Sequence, residues 1–352
     1  MQQSPNNPPT NQLRPGIEEI QIKNAVEQSG YPLQTHVADI LRSTPGPKAE
    51  GFYVQEEWSY VDRDTSELRS ADLHASVRLY DWDPQPRVRP ELNLLIECKQ
   101  SQLPYVFFLG RGRLRLLGFP AVAGLRQDKV VVTSDDDPSS WTYSIIHALD
   151  LHDDPFQREP PFCHTLSKCV RKGAEIELSG SDAYNGLVLP LIKAVHHFKG
   201  SQSPVETAWY FDSHLTLGVG VIDAPMIATT VDGAAPVLSA VPWVRVLRHE
   251  YHQEADRFER DQLWVVDVVH RDYFAKYLTE WVLPFAQRFG ERVLRHATEL
   301  ATGEGFVKGM GADSWSNIET RLEARSVKAR AARGAPIGKR ILGFFGRRHS
   351  AS

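Results

Sequence analysis

The segment L-N-L-L-I-E-C-K-Q-S, residues 92–101, is the most continuously apolar strand candidate in the chain, and it closes on an acid and a base. Leu92, Leu94, Leu95 and Ile96 leave little room for a wet face, which suits the centre of a sheet. Side chains alternate along a strand, so Glu97 and Lys99 project to one face and Cys98 to the other. Unpaired charge at a sheet centre is costly. The two groups therefore either pair with each other or act together on something polar.

Around this strand the chain is ordinary for a globular protein: 352 residues, 41% hydrophobic and 24% charged, ample for a large core. A net charge of −4 excludes a polycation, so any nucleic-acid contact has to come from local patches. Cys98, Cys163 and Cys169 have no metal-type spacing and cannot all pair, which points to a reducing, cytoplasmic setting. The polar M-Q-Q-S-P-N-N-P-P-T start lacks a basic region followed by an apolar core, so no secretory leader is expected. No uncharged run approaches the roughly 18–20 residues of a membrane span, so no membrane insertion is expected.

Read in order, residues 1–15 have the Pro/Asn/Gln composition of a disordered segment. Spacing predicts helices over 16–29 and from Pro32 through Leu33, Val37, Ala38 and Leu41. Strands follow at 52–61 and 68–80, joined by the polar turn D-R-D-T-S-E. In the second, Leu73, Ala75, Val77 and Leu79 share one face, and Asp72 lies on the other with Ser70 and His74. Further strands are expected at 104–109, 113–117, 129–133, 214–225, 242–248 and 263–270. Helices are expected at W-T-Y-S-I-I-H-A-L, at 183–198 with a kink at Pro190, at Tyr273–Arg288 and near 291–301. With no clean linker or repeat, residues 16–305 read as one elaborated α/β domain, followed by a basic flexible tail at 320–352.

The order helix, strand, strand, strand, with S-A-D (70–72) on the second strand and E-C-K (97–99) closing the third, resembles the PD-(D/E)XK nuclease superfamily. The resemblance covers residues 30–101, about a fifth of the chain. It implies a restriction-endonuclease-like core (helix, three-stranded meander, helix, strand) with a large C-terminal α/β elaboration. It also implies a Mg²⁺-dependent hydrolysis of DNA phosphodiesters, with Mn²⁺ as a substitute. Asp72 and Glu97 would hold the cation, with the Cys98 backbone carbonyl as a third ligand, and Lys99 would position or deprotonate the attacking water. Gln100 resembles an additional polar residue of some branches and would orient a phosphate. The chemistry agrees: Mg²⁺ takes oxygen ligands and keeps several waters, and a neighbouring lysine stabilises developing negative charge.

Two positions depart from the family pattern. Ala71 stands where the nominal proline would be, and Gln34 stands where many relatives place a helical glutamate. An amide supplies no negative charge, which keeps open the alternative of a catalytically inactive nuclease fold that binds nucleic acid or a protein partner. A homodimer is equally open.

Other motifs weigh less. H-E-Y-H (249–252) has its histidines three apart rather than the four a zincin helix needs. His196 and His197 are adjacent on a helix and point apart. Asp267 and His270 fall on opposite strand faces, and Asp267 reads as a satisfied core residue. In G-R-G-R-L-R-L-L-G, an extended chain would align Arg111, Arg113 and Arg115 along consecutive phosphates, or simply leave a charged face in solvent. Gly218 and Gly220 belong to no phosphate loop.

Overall fold

A computed structural model describes residues 4–48, 50–63, 65–112, 114, 116, 118–232, 235–251, 261–309 and 317–325. The chain folds as mixed α/β around two sheets. Helices α1 (Glu19–Gln28) and α2 (Tyr31–Ser43) precede the meander β1 (Tyr53–Val61), β2 (Leu68–Arg78) and β3 (Val88–Gln100). Then come β4 (Tyr105–Leu109), β5 (Ala121–Ala123), β6 (Lys129–Ser134), β7 (Ser140–Ser144), β8 (Phe162–Lys172) and β9 (Glu175–Ser179). Helix α3 (Leu189–Ser201) leads into β10 (Phe211–Asp223), followed by β11 (Met226–Asp232), β12 (Ala235–Ala240), β13 (Trp243–Tyr251) and β14 (Asp261–His270). Helix α4 (Leu283–Arg295), β15 (Glu304–Val307) and β16 (Leu322–Ala324) complete the order.

The large sheet runs β1-β2-β3-β10-β14-β13-β8-β4-β11-β12, and the small one β16-β15-β6-β7. β3 is fully buried from Leu92 to Cys98, as its composition requires. It pairs in parallel with β10 from Phe211↔Val88 to Asp223↔Gln100. Leu33, Val37, Ala38 and Leu41 of α2 pack with Leu73, Ala75, Leu94 and Ile96 on one face, and α4 adds Phe285 and Phe289. Leu191, Val195 and Phe198 of α3 cover the other face with Leu95. Gly220 permits this approach: a Cβ there would lie 2.8 Å from Leu187.

Several expectations are corrected. The third strand starts at Val88, not Leu92, because Val88 and Pro90 are already buried against β10. Trp141–Ser144 belong to β7 (Ser140–Ser144), and only Ile145–Ala148 are helical, since Val130 and Val132 of β6 give the preceding residues a ladder partner. The helical run at 180–201 is irregular ahead of Pro190: a π-turn at Tyr184–Val188 interrupts it, and Pro190 follows as the second residue of α3. The same device, a π-turn at Tyr277–Val282 followed by a proline, opens α4. Leu114 and Leu116 lie in no strand, while Arg113 and Arg115 fall outside the described residues. The elaboration is not C-terminal alone, since β4–β9 are inserted between β3 and α3. The tail boundary at 320 cuts through ordered structure, because Leu322–Ala324 pair with β15; residues 326–352 fall outside the described residues.

Asp267 is the satisfied core residue its surroundings suggested. Both oxygens accept from Arg245 (2.8 and 2.9 Å), one also from the Tyr277 hydroxyl (2.9 Å), and Arg245 and Asp267 are fully buried. The Arg245 guanidinium also lies against the rings of Phe119 and Phe156. Removing one partner strands a buried charge, a loss of about 3–5 kcal/mol. Asp267→Ala should therefore lower unfolding free energy by about that amount in chemical denaturation; a change below about 1 kcal/mol would contradict the assignment.

Candidate active site

The β1–β2 hairpin sets the geometry. Its register pairs Val61 with Leu68, so counting four residues into each strand brings Glu57 opposite Asp72. At that point Glu57 adopts a left-handed φ of 52°, and the ladder skips the Glu57/Asp72 position. The alternation of faces reverses there. Val54 packs with the α2 side of the sheet, whereas Trp58, four residues on, packs with Tyr60 and lies 5.5 Å from the His74 ring on the α3 side. Ala71 follows Trp58 to that side, so Asp72 stands at the turning point of β2.

The β2–β3 ladder ends one step earlier, at Leu73↔Ile96. Beyond it the Asp72 side chain replaces the main chain: Oδ2 accepts from the Cys98 N–H at 2.6 Å. This pins Asp72 across from Glu97. The Lys99 Nζ lies 2.7 Å from Glu97 Oε2 and 3.9 Å from Asp72 Oδ2, so one ammonium serves both carboxylates. Among the described residues the hydrogen bonds to these carboxylates fall on Asp72 Oδ2 and Glu97 Oε2, not on Asp72 Oδ1 or Glu97 Oε1.

Electrostatics follow from depth. Glu97 is 4% exposed, and burial pushes its carboxyl up to about 7 against the pull of Lys99, with the charges of Asp72 and Glu57 adding to the rise. Burial likewise raises Asp72, opposed by the Cys98 N–H and Lys99. Burial works against the Lys99 charge, but Glu97 and Asp72 outweigh it and raise its pKa. The Cys98 thiol is pushed up by burial and by both acids, which leaves it an inert core group.

Asp72, Glu97 and Lys99 are thus brought together. Gln34 joins them from α2: its Nε2 donates to Glu57 Oε1 at 3.0 Å and to the Asp72 carbonyl at 3.1 Å. Glu57 was not singled out from sequence, although the hairpin register carries it to the site. Gln100 does not join; it faces the α2 side and lines a cavity of about 470 Å³ with Pro32, Leu33, His36 and Arg271. Arg111 lies past the far end of β4, whose first residue, Tyr105, is the one that senses Lys99. His249 stacks on His164 across β13 and β8, while His252 falls outside the described residues. His196 meets Trp264 and His197 meets Trp58 and Tyr60, so the two rings do point apart.

Among the described residues no three His, Cys, Asp or Glu side chains form a ready cation cage. Two carboxylates completed by waters still suit Mg²⁺, which seldom takes an all-protein shell. No helix of the described residues is long and apolar enough to cross a membrane. No protein-family model, curated protein or solved structure matches the chain.

The raised Glu97 carboxyl carries a signature in stability. Below pH 4.5 it is neutral in both folded and unfolded chains; between 4.5 and about 7 only the folded chain keeps the proton, and above 7 the folded chain bears the full cost of burying the charge. At about 1.4 kcal/mol per unit, that cost is on the order of 3 kcal/mol. Glu97→Gln, neutral throughout, should gain stability relative to the parent as pH rises from 4.5 to 7 and hold that gain above it. Thermal melts of the two proteins across this range check it, and a pH-independent difference would refute the burial argument.

Proposed function

We propose that the chain is a Mg²⁺-dependent nuclease that hydrolyses DNA phosphodiester bonds at Asp72, Glu97 and Lys99. One observation carries this reading: a single ammonium sits within 4.0 Å of two carboxylates that face each other across β2 and β3, at the carboxyl end of a strand buried on both faces. A purely structural ion pair has no need of a second acid, and raised carboxyls clustered at a strand end are a common mark of chemistry. The order of elements supports the restriction-endonuclease-like core. The helix α2 precedes the meander, and α3 then delivers β10 parallel to β3, even though the insert β4–β9 separates them.

A bound divalent cation would supply Lewis acidity at the phosphoryl oxygen. Asp72 Oδ1 and Glu97 Oε1 are the oxygens that would hold it, since the other two already accept from Cys98 and Lys99. Lys99 would hold the attacking water and offset charge growing on the phosphate. Gln34 anchors Glu57 and the Asp72 carbonyl, and so keeps β1 and β2 in place around the site. The acid missing from α2 has a counterpart in Glu57 on β1, which favours an active site over the inactive alternative.

The test is cleavage of plasmid and single-stranded DNA by purified protein in Mg²⁺, Mn²⁺ and EDTA, beside Lys99→Ala. Metal-dependent cleavage that falls by roughly 10²-fold or more in the variant is expected. DNA binding without cleavage under any metal, unchanged by the substitution, would favour the inactive fold instead.

A further inference from the structure

The path of the large sheet has two ends, β1 and β12, and they are finished differently. An edge strand offers a row of unpaired N–H and C=O groups to any extended chain, and folded proteins guard such edges with charge. β1 follows that rule, with Glu56 and Glu57 in the strand and Arg42 paired to Glu56. β9, which branches off at β8, does so too, with Glu175 and Glu177. β12 (A-P-V-L-S-A) carries no charged residue. All six of its residues are exposed, Val237 by 58% and Leu238 by 63%.

The ladder fixes which backbone groups of β12 point outward. Val241 donates to the Met226 carbonyl at 3.1 Å, on the β11 side. From there the pairing runs without a register shift from Ile227↔Ala240 to Asp232↔Ala235. Backbone groups alternate sides along an antiparallel strand, so Ala235, Val237 and Ser239 turn theirs to β11. Pro236, Leu238 and Ala240 turn theirs away. Pro236 has no N–H, so on the outer side it removes no bond from the ladder. Leu238 and Ala240 are left as the outward donors, beside the carbonyls of all three residues. Among the described residues no strand pairs with that side.

We propose that this edge pairs with the same edge of a second copy, so that two chains join antiparallel through β12 about a twofold axis. Outward donors and acceptors in strand alternation call for an extended partner rather than a helix or a side-chain surface. A second copy is the partner the chemistry favours. An uncharged edge meets its own copy without like-charge repulsion, whereas a charged segment would find no counter-charge on it. Antiparallel pairing also lets a strand face itself: the Leu238 and Ala240 donors of each copy meet outward carbonyls of the other. Val237 and Leu238, on opposite faces of the sheet, each gain cross-strand neighbours. The contact takes none of Asp72, Glu97 and Lys99, which belong to β2 and β3 toward the other end of the sheet order. The proposal therefore stands independently of the nuclease reading.

The test is the mass of the full chain in solution, by sedimentation velocity between about 1 and 100 μM. It should rise with concentration from one chain to two and stop there, because a closed twofold contact uses up the edge. Leu238→Pro removes an outward N–H and none that faces β11, so it should weaken dimerisation about tenfold or more. Leu238→Lys sets like charges across the contact and should act in the same direction. Circular dichroism and thermal melts of both variants separate misfolding from lost pairing. A nitroxide on Ser239→Cys locates the contact, since the native cysteines are buried. Cross-strand neighbours lie about 5–8 Å apart, so its frozen spectrum should broaden in the dimer. A parent chain that stays monomeric over the whole range overturns the proposal. So does a dimer that survives unweakened in both folded variants, a dimer without broadening, or association that runs on past two chains.

Discussion

The parallel pairing of β3 with β10 is the constraint on which the molecule depends. It runs unbroken from Val88 to Gln100 and buries both strands on both faces. Helices therefore have to cover each side, α2 and α4 on one and α3 on the other. The pairing also aligns two special features. On one edge Gly220 lies beside Glu97 and Ile222 beside Lys99; on the other, two residues earlier, β10 changes partner from β5 to β14 across Thr216–Gly218. A strand buried this thoroughly cannot slip, since a one-residue shift would turn every core side chain to the wrong face.

The candidate site is built from departures from regular sheet rather than from the sheet itself. β2 and β3 part after Leu73↔Ile96, the Asp72 carboxylate takes a main-chain partner, and Glu57 accepts a left-handed backbone opposite it. Local strain of this kind persists only where surrounding structure over-determines it, and it concentrates at functional positions. Here the surrounding structure is the α2 helix, which Gln34 ties to Glu57 and to β2. Burial raises both acids, and Lys99 shares its charge between them; the arrangement stores an electrostatic cost that a divalent cation would relieve.

The legible part of the sequence was the part governed by local pattern. The apolar run of β3, the alternation of β2 and the stripe of α2 each report burial directly, and these elements bring Asp72, Glu97 and Lys99 within reach of one another. Glu57 escaped because its role depends on hairpin register and on a backbone reversal that alternation cannot foresee. Gln34 was noticed for a charge it lacks, while its structural work is done by its two donor hydrogens. Trp141–Tyr143 looked helical next to I-I-H-A-L because nothing local announces that β6 will offer them a ladder. The split of β10 is invisible in sequence for the same reason: it depends on which distant strands reach the edge.

Asp72 and Glu97 are proposed to form one cation site rather than two members of a salt bridge. Binding of Mn²⁺ to the full chain, followed by electron paramagnetic resonance, measures this without requiring a substrate. Saturable binding of a single Mn²⁺ is expected, weakened by about tenfold or more in Asp72→Asn and again in Glu97→Gln. Mn²⁺ binding that is absent from the parent protein, or equally tight in both variants, would contradict it.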